Sequence, residues 1–206
     1  MDRRYVLFDF DGVIADSFAL AYDVSRRFTP ELDEKGYRKL FEGNVYESLK
    51  KLGPHASDNG EQFFAEMMPR FMAETTLTKG MPEAIASLHE SYTLAIISST
   101  ITASIEQFLA HYDLSHYFAA VMGKDVHTSK VEKMRMLFQQ FGTNADACVF
   151  VTDTLGDIRE AETHGMGAIG VSWGFHDRGT LEQGVPFRIV EAPVELPDAV
   201  HEYFAS

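Results

Sequence analysis

The chain has 206 residues, 45% apolar and 24% charged, the balance of an ordinary globular protein with room for one sizeable domain or a core carrying an insertion. Its formal net charge of -13 argues against a nucleic-acid backbone or an anionic membrane surface as partner, so any phosphorylated ligand must be met by a local cluster of cations and amides. The single cysteine, Cys148, excludes an internal disulfide and fits a reducing compartment, and no apolar run is long enough to span a bilayer.

The first element is the densest in information. Tyr5-Val6-Leu7-Phe8 runs into Asp9-Phe10-Asp11-Gly12-Val13-Ile14. A continuous apolar run of this kind predicts a strand buried on both faces, as in a parallel sheet. Side chains alternate along a strand, so Asp9 and Asp11 point the same way if the pleat holds. Gly12 allows a sharp turn just past them. Two carboxylates at the carboxyl end of a buried strand lie where open α/β sheets bind ligands, and a cation is their natural partner. They also break any apolar leader region behind Met1-Asp2-Arg3-Arg4, so a cytoplasmic location is expected.

Asp16-Ser17 can cap a helix through Phe18, Leu20, Ala21, Val24 and Phe28, stopped by Thr29-Pro30. Helical patterns then cover 34–41, 46–52 (closed by Gly53-Pro54) and 61–75, with no strand between Asp16 and Lys79. From Gly80 the pattern alternates. A helix from Pro82 precedes a strand at 92–98, and a helix at 101–112 precedes a strand at 118–122. A helix at 129–141 leads to a strand at 147–152. A helix at 158–164 is followed by strands at 167–171 and 187–190, and a helix over 193–204 closes the chain. Such alternation predicts an α/β fold, a doubly wound parallel sheet with an inserted all-helical cap. The expected boundaries are residues 1–15 and 80–206 for the core and 16–79 for the cap.

On a parallel sheet, four sets of polar residues fall on one rim: Asp9 and Asp11, Ser98 and Ser99, Lys130, and Asp153 with Asp157. Together they suit phosphoryl chemistry. A carboxylate attacks phosphorus and a second protonates the leaving oxygen. Mg²⁺, a hard cation, neutralises carboxylate and phosphate together, while a hydroxyl and an ammonium hold the phosphoryl oxygens.

These residues, in this order, resemble the haloacid dehalogenase superfamily, in particular its phosphoglycolate phosphatase-like branch with a small helical cap. Asp9-Phe10-Asp11-Gly12-Val13 matches the first motif, Ser98 the second, Lys130 in Thr128-Ser129-Lys130 the third, and Asp153-Thr154-Leu155-Gly156-Asp157 the fourth. The resemblance covers the whole chain and implies a Rossmann-like core. It implies Asp9 as nucleophile and Asp11 as general acid, then base. Asp9, the Asp11 carbonyl and Asp153 would hold Mg²⁺, with Asp157 ligating or positioning a bound water. Ser98 and Lys130 would grip the phosphoryl group, aided by the Ser99 amide. The implied activity is hydrolysis of a small phosphorylated metabolite: phosphoglycolate, a sugar phosphate or a nucleotide monophosphate. A phosphomutase, or a non-catalytic domain binding a ligand or partner, are the alternatives. Two positions depart from the family: Thr152 stands where Gly is common and Ser99 where Asn is common.

Singly, several of these residues have plainer uses. Lys130 alone reads as a solvated helix residue, Ser98 as a strand-end hydroxyl bonded to backbone, and Asp153 as a helix cap. In the loop Trp173-Gly174-Phe175-His176, Trp173 is expected to pack beneath its own loop, the alternative being a border on the substrate. His55, His111 and His164 lack metal-ligand spacing and read as surface residues. Within the cap, Arg26, Arg27, Gly43 and Asn44 are candidates to touch the substrate. Monomer and homodimer are both compatible with the sequence.

Overall fold

The structure, a computed structural model, describes residues 3–51 and 60–206. The expected Gly53-Pro54 helix stop and His55 lie outside the described residues. Ten helices are named here in chain order: α1 (Phe18–Phe28), α2 (Glu34–Lys39), α3 (Val45–Lys51), α4 (Gly60–Glu74), α5 (Met81–His89), α6 (Thr102–His111), α7 (Lys130–Phe141), α8 (Leu155–Glu162), α9 (Arg178–Leu181) and α10 (Leu196–Ala205). The strands are β1 (Tyr5–Phe8), β2 (Ala15–Asp16), β3 (Thr76–Leu77), β4 (Thr93–Ile97), β5 (Phe118–Met122), β6 (Cys148–Thr152), β7 (Gly167–Val171) and β8 (Arg188–Val190).

Six strands form one sheet in the order β5-β4-β1-β6-β7-β8, and every neighbouring pair is parallel. β1 lies between β4 and β6, where the winding direction reverses. A crevice opens there at the carboxyl ends of the strands. The apolar runs meet the expectation of two buried faces. Val6 and Phe8 pack on one side with Leu94, Ile96, Val149 and Val151. Tyr5 and Leu7 pack on the other with Ala95, Ile97, Cys148 and Phe150. This is the alternation a pleated strand imposes. Cys148 is a free, buried thiol, and burial pushes its pKa up to about 12.

α1 to α4 are inserted between β1 and β5's partner β4, with the insertion spanning the crevice. The expectation that no strand occurs there needs one correction. β2 and β3 pair antiparallel, Ala15 with Leu77 and Asp16 with Thr76. They form the two-stranded neck through which the chain leaves and re-enters the core. Two-residue strands show no alternation, so pattern reading cannot find them. The neck is tied to β1 by a tight turn: the Gly12 amide donates to the Ala15 carbonyl (2.8 Å) and the Ala15 amide to the Phe10 carbonyl (3.0 Å).

A second correction concerns α8, expected from Ile158 and found from Leu155. Thr154 is its N-cap, accepting from the Asp157 amide at 3.3 Å. Asp157 therefore sits in the first helical turn, one turn from Asp153, and not in a loop.

Candidate active site

β1 ends in Phe8, and Asp9 continues its course because its amide still donates to the Val151 carbonyl of β6 (2.9 Å). The side chain is thereby fixed over the crevice and 5% exposed. One carboxylate oxygen accepts from the Phe10 amide at 2.7 Å, and the other lies 2.7 Å from Lys130 Nζ. Lys130 opens α7, whose Ser129 N-cap accepts from the Glu132 amide. Its ammonium also donates to Asp157 Oδ2 at 2.7 Å. Asp157 Oδ2 takes a further bond from the Thr152 hydroxyl (2.8 Å), which itself accepts from the Thr154 amide (3.2 Å). The departure at Thr152 thus has a defined job: it anchors Asp157.

Asp153 ends β6 and is fully buried. Its Oδ2 accepts from the Phe175 amide at 2.7 Å, while its Oδ1 has no hydrogen-bond partner among the described residues. Glycine is required around it. A Cβ on Gly12, whose φ is +73°, would lie 1.9 Å from Asp153 Oδ2, and one on Gly174 would lie 2.3 Å from the same atom.

Asp9, Asp153 and Asp157 are three buried carboxylates; of the two buried lysines nearby, Lys130 pairs with Asp9 and Asp157 while Lys133 is bonded to the Ser98 carbonyl, so full ionisation leaves negative charge uncompensated. Burial raises the Asp9 pKa well above the usual carboxylate range; Lys130 opposes the rise, and Asp157 and Asp153 add to it. Burial likewise lifts Asp153 to about 7, against the pull of the Phe175 amide. Burial works against Asp157 too, but Lys130 and the hydrogen bonds it receives hold it below the usual range. Lys130 pays for burial but is held above the ordinary lysine value by Asp157 and Asp9.

An orphaned, fully buried carboxylate oxygen beside a second carboxylate with a raised pKa fits a divalent cation. Among the described residues no three His, Cys, Asp or Glu side chains form a metal-binding group.

Asp11 lines the same cavity as Asp9 and is half-buried. Its Oδ1 accepts from the Ser17 hydroxyl (2.7 Å), and its Oδ2 from the Thr100 hydroxyl (2.7 Å) and, at 3.4 Å, from Ser98. Ser98 Oγ accepts in turn from the Thr100 amide. Ser17 and Thr100 are site residues that sequence reading missed. Ser17 was expected to cap α1, but it makes no side-chain cap bond and serves Asp11 instead. Thr100 carried a weak signal, as the third hydroxyl in Ser98-Ser99-Thr100. Ser99 lines the cavity and its carbonyl accepts from the Tyr46 hydroxyl at 3.3 Å.

Above these groups lies a cavity of about 240 Å³, walled by the rim and by α1 to α4. Asn44 reaches it, its Nδ2 bonding Glu160 Oε1 of α8 at 2.8 Å. Arg26 does not: it is exposed on α1, its guanidinium 5.8 Å from the Tyr22 ring centroid. Arg27 pairs with Glu66 on α4. Gly43 lines the cavity, and its carbonyl lies where a Cβ on Gly156 would be, at 2.5 Å. The loop after β7 docks the cap. Phe175 meets Phe18 and Phe41 edge-on at 5.0 and 4.9 Å, and the Phe175 carbonyl accepts from Arg38. His176 is buried: its Nδ1 accepts from the Leu155 amide, and its Nε2 faces the Arg38 carbonyl at 2.8 Å. Trp173 is half-buried against the core, its indole N–H donating to the Val13 carbonyl. His111 is exposed, whereas His164 is half-buried against the Val131 carbonyl.

The sequence pattern of the family described as haloacid dehalogenase-like hydrolase matches residues 6–171. The phosphoglycolate phosphatase of Synechococcus elongatus is 27% identical over 203 residues, 95% of this chain and 96% of that protein. The probable phosphatase IndB of Dickeya dadantii is 35% identical over 126 residues, 59% of this chain and 55% of its own. A crystal structure of a predicted phosphatase from Clostridium acetobutylicum superposes with a TM-score of 0.84 at 21% identity, covering 98% of this chain and all of that one, and so shares the fold.

Proposed function

The chain belongs to the haloacid dehalogenase-like hydrolase family, in its phosphoglycolate phosphatase-like branch, and from that membership we propose a Mg²⁺-dependent phosphatase that acts on a small phosphate monoester through Asp9. The observation that carries the reading is the convergence of Asp9, Lys130, Asp153 and Asp157 at the rim beneath a helical lid, with Asp153 Oδ1 lacking a partner among the described residues.

The residues divide the work as follows. Asp9 attacks phosphorus; the P–O bond to the alcohol breaks as the Asp9–phosphorus bond forms. Asp11 gives its proton to the departing alkoxide and later takes one from the water that cleaves the aspartyl phosphate, so it ends as it began. The Ser17, Thr100 and Ser98 hydroxyls hold its carboxyl in place. Lys130 and the Ser98–Ser99 segment bind phosphoryl oxygens as negative charge gathers on them. Asp9, the Asp11 carbonyl and Asp153 would hold the cation, with Asp157 fixed behind them by Lys130 and Thr152. When bound, Mg²⁺ supplies positive charge that keeps Asp9 ionised and screens it from the phosphate. Residues 16–79 act as a cap domain over the core of residues 1–15 and 80–206, excluding water from the first step. Among the described residues no helix is long and apolar enough to cross a membrane, and the buried free thiol suits the cytoplasm.

The test is hydrolysis of p-nitrophenyl phosphate by purified protein. Activity should require Mg²⁺, vanish on chelation with EDTA and return when Mg²⁺ is restored in excess. Turnover indifferent to EDTA would contradict the reading.

A further inference from the structure

Lys133 is a buried cation with no part in the reaction steps above. It lies one turn after Lys130 on the same flank of α7 and is fully buried. An ammonium is costly to bury unless it is paired. Lys130 meets two carboxylates, but among the described residues no carboxylate lies within ion-pair distance of Lys133. Its Nζ donates instead to the Ser98 carbonyl and lies 3.5 Å from the Gly123 carbonyl. Burial and the neighbouring Lys130 pull its pKa down to about 8, against the attraction of Asp9, Asp157 and Glu160. The ammonium is thus committed to main chain at the end of β4, a place that an apolar side chain would fill at lower cost if packing were its only use.

What the bond does follows from the geometry of the peptide group. Ser98 extends β4, its amide donating to the Met122 carbonyl at 3.0 Å. The Ser98 carbonyl shares a plane with the Ser99 amide, and in a trans peptide the two point in opposite directions. Lys133 holds the carbonyl from inside the core, so the Ser99 N–H is turned the other way, and Ser99 lines the cavity with Asp9 and Lys130. The Ser99 amide has no hydrogen-bond partner among the described residues, whereas the Thr100 amide is taken by Ser98 Oγ at 2.9 Å. A cation bonded to the carbonyl oxygen also polarises the peptide group, which makes its N–H a stronger donor.

Resting on the phosphatase reading above, we propose that Lys133 is a positioning residue for phosphoryl transfer: it fixes and polarises the Ser98–Ser99 peptide so that the Ser99 N–H meets the phosphoryl oxygen on which charge gathers. Lys133 acts through Ser99 and touches neither substrate nor cation. The bonds made and broken are unchanged, and no proton passes to or from Lys133.

The experiment compares wild type with Lys133→Met, similar in length but uncharged, on p-nitrophenyl phosphate with Mg²⁺. A donor aimed at developing charge acts in the transition state, so kcat should fall about 30-fold or more with KM within about threefold of wild type. The inhibition constant of orthovanadate, which mimics the transferring phosphoryl group, should rise about tenfold more than that of inorganic phosphate. A merely structural Lys133 would lower the thermal midpoint but leave kcat and the vanadate-to-phosphate ratio at wild-type values. That result would overturn the proposal, as would a raised KM at unchanged kcat. If Lys133→Met does not fold, nuclear magnetic resonance of wild type carrying isotopically labelled serine decides. The Ser99 amide proton should move downfield when Mg²⁺ and inorganic phosphate are added, and an unmoved signal overturns the proposal. If wild type is itself inert toward p-nitrophenyl phosphate, the phosphatase reading fails on its own. Calorimetric affinities of both proteins for orthovanadate and inorganic phosphate then still decide the role of Lys133, an unchanged ratio overturning it.

Discussion

Asp9 and Asp11 are two residues apart, yet their surroundings prepare them for different tasks. Asp9 is enclosed with Lys130 and two further carboxylates, whereas Asp11 is half-buried and met by three hydroxyls. A buried carboxylate cluster of this kind gives the metal-free protein a pH dependence whose sign is fixed. Asp153 rises from 3.8 when unfolded to about 7 when folded. The native state therefore holds its proton over a range in which the unfolded chain has lost it. Stability contributed by this group is complete below pH 4 and is lost as pH rises to about 7. A metal ligand must be ionised, so Mg²⁺ binding works against that proton. The thermal midpoint should accordingly rise with Mg²⁺ more at pH 8 than at pH 5; equal increments at both values would count against a cation at Asp153. Thr152→Val is the second residue-scale test. It leaves the Thr154 amide without its acceptor and removes a bond to Asp157, so denaturant unfolding should show a loss of about 1–3 kcal/mol.

Among the elements, α8 carries the most consequence for so short a helix. Its capped first turn presents Asp157 to the site, and its Gly156 touches the cap backbone at Gly43. Gly156→Ala would set a Cβ 2.5 Å from the Gly43 carbonyl, a backbone atom that cannot swing aside. We expect the α2–α3 segment to lift from the core. Amide exchange over residues 34–51 should quicken and kcat/KM should fall about tenfold; unchanged exchange would show that this contact does not hold the cap. The same scale shows what could be read from sequence. β1, β4 and β6 were legible because each is an unbroken apolar run, and their polar ends identified the rim. The β2–β3 neck was not, since two-residue strands carry no period. Ser17 and Thr100 escaped because a hydroxyl looks alike whether it caps a helix or holds Asp11. Arg26 lies away from the cavity, and helical periodicity could not show this, since it gives the apolar stripe of α1 but not which of its flanks faces the crevice.

For the whole molecule, a parallel sheet wound in both directions from β1 brings residues from four distant segments to one rim, while the chain between β1 and β4 builds the roof. Cap and core meet through a few directed contacts as well as apolar ones. Arg38 donates to the Phe175 carbonyl, Arg159 to the Glu42 carbonyl at 2.6 Å, and His176 spans Leu155 and Arg38. Arg38 ties the lid to the core, so Arg38→Ala should ease opening while weakening closure, read as a smaller fall in kcat/KM for a bulky ester than for p-nitrophenyl phosphate. Underlying all of this is the assignment of Asp9 as the nucleophile. The direct measurement is turnover of p-nitrophenyl phosphate with Mg²⁺ by Asp9→Asn, whose fold is verified by circular dichroism. The account predicts a loss of kcat on the order of 10³-fold or more. Turnover within a few-fold of wild type would contradict it.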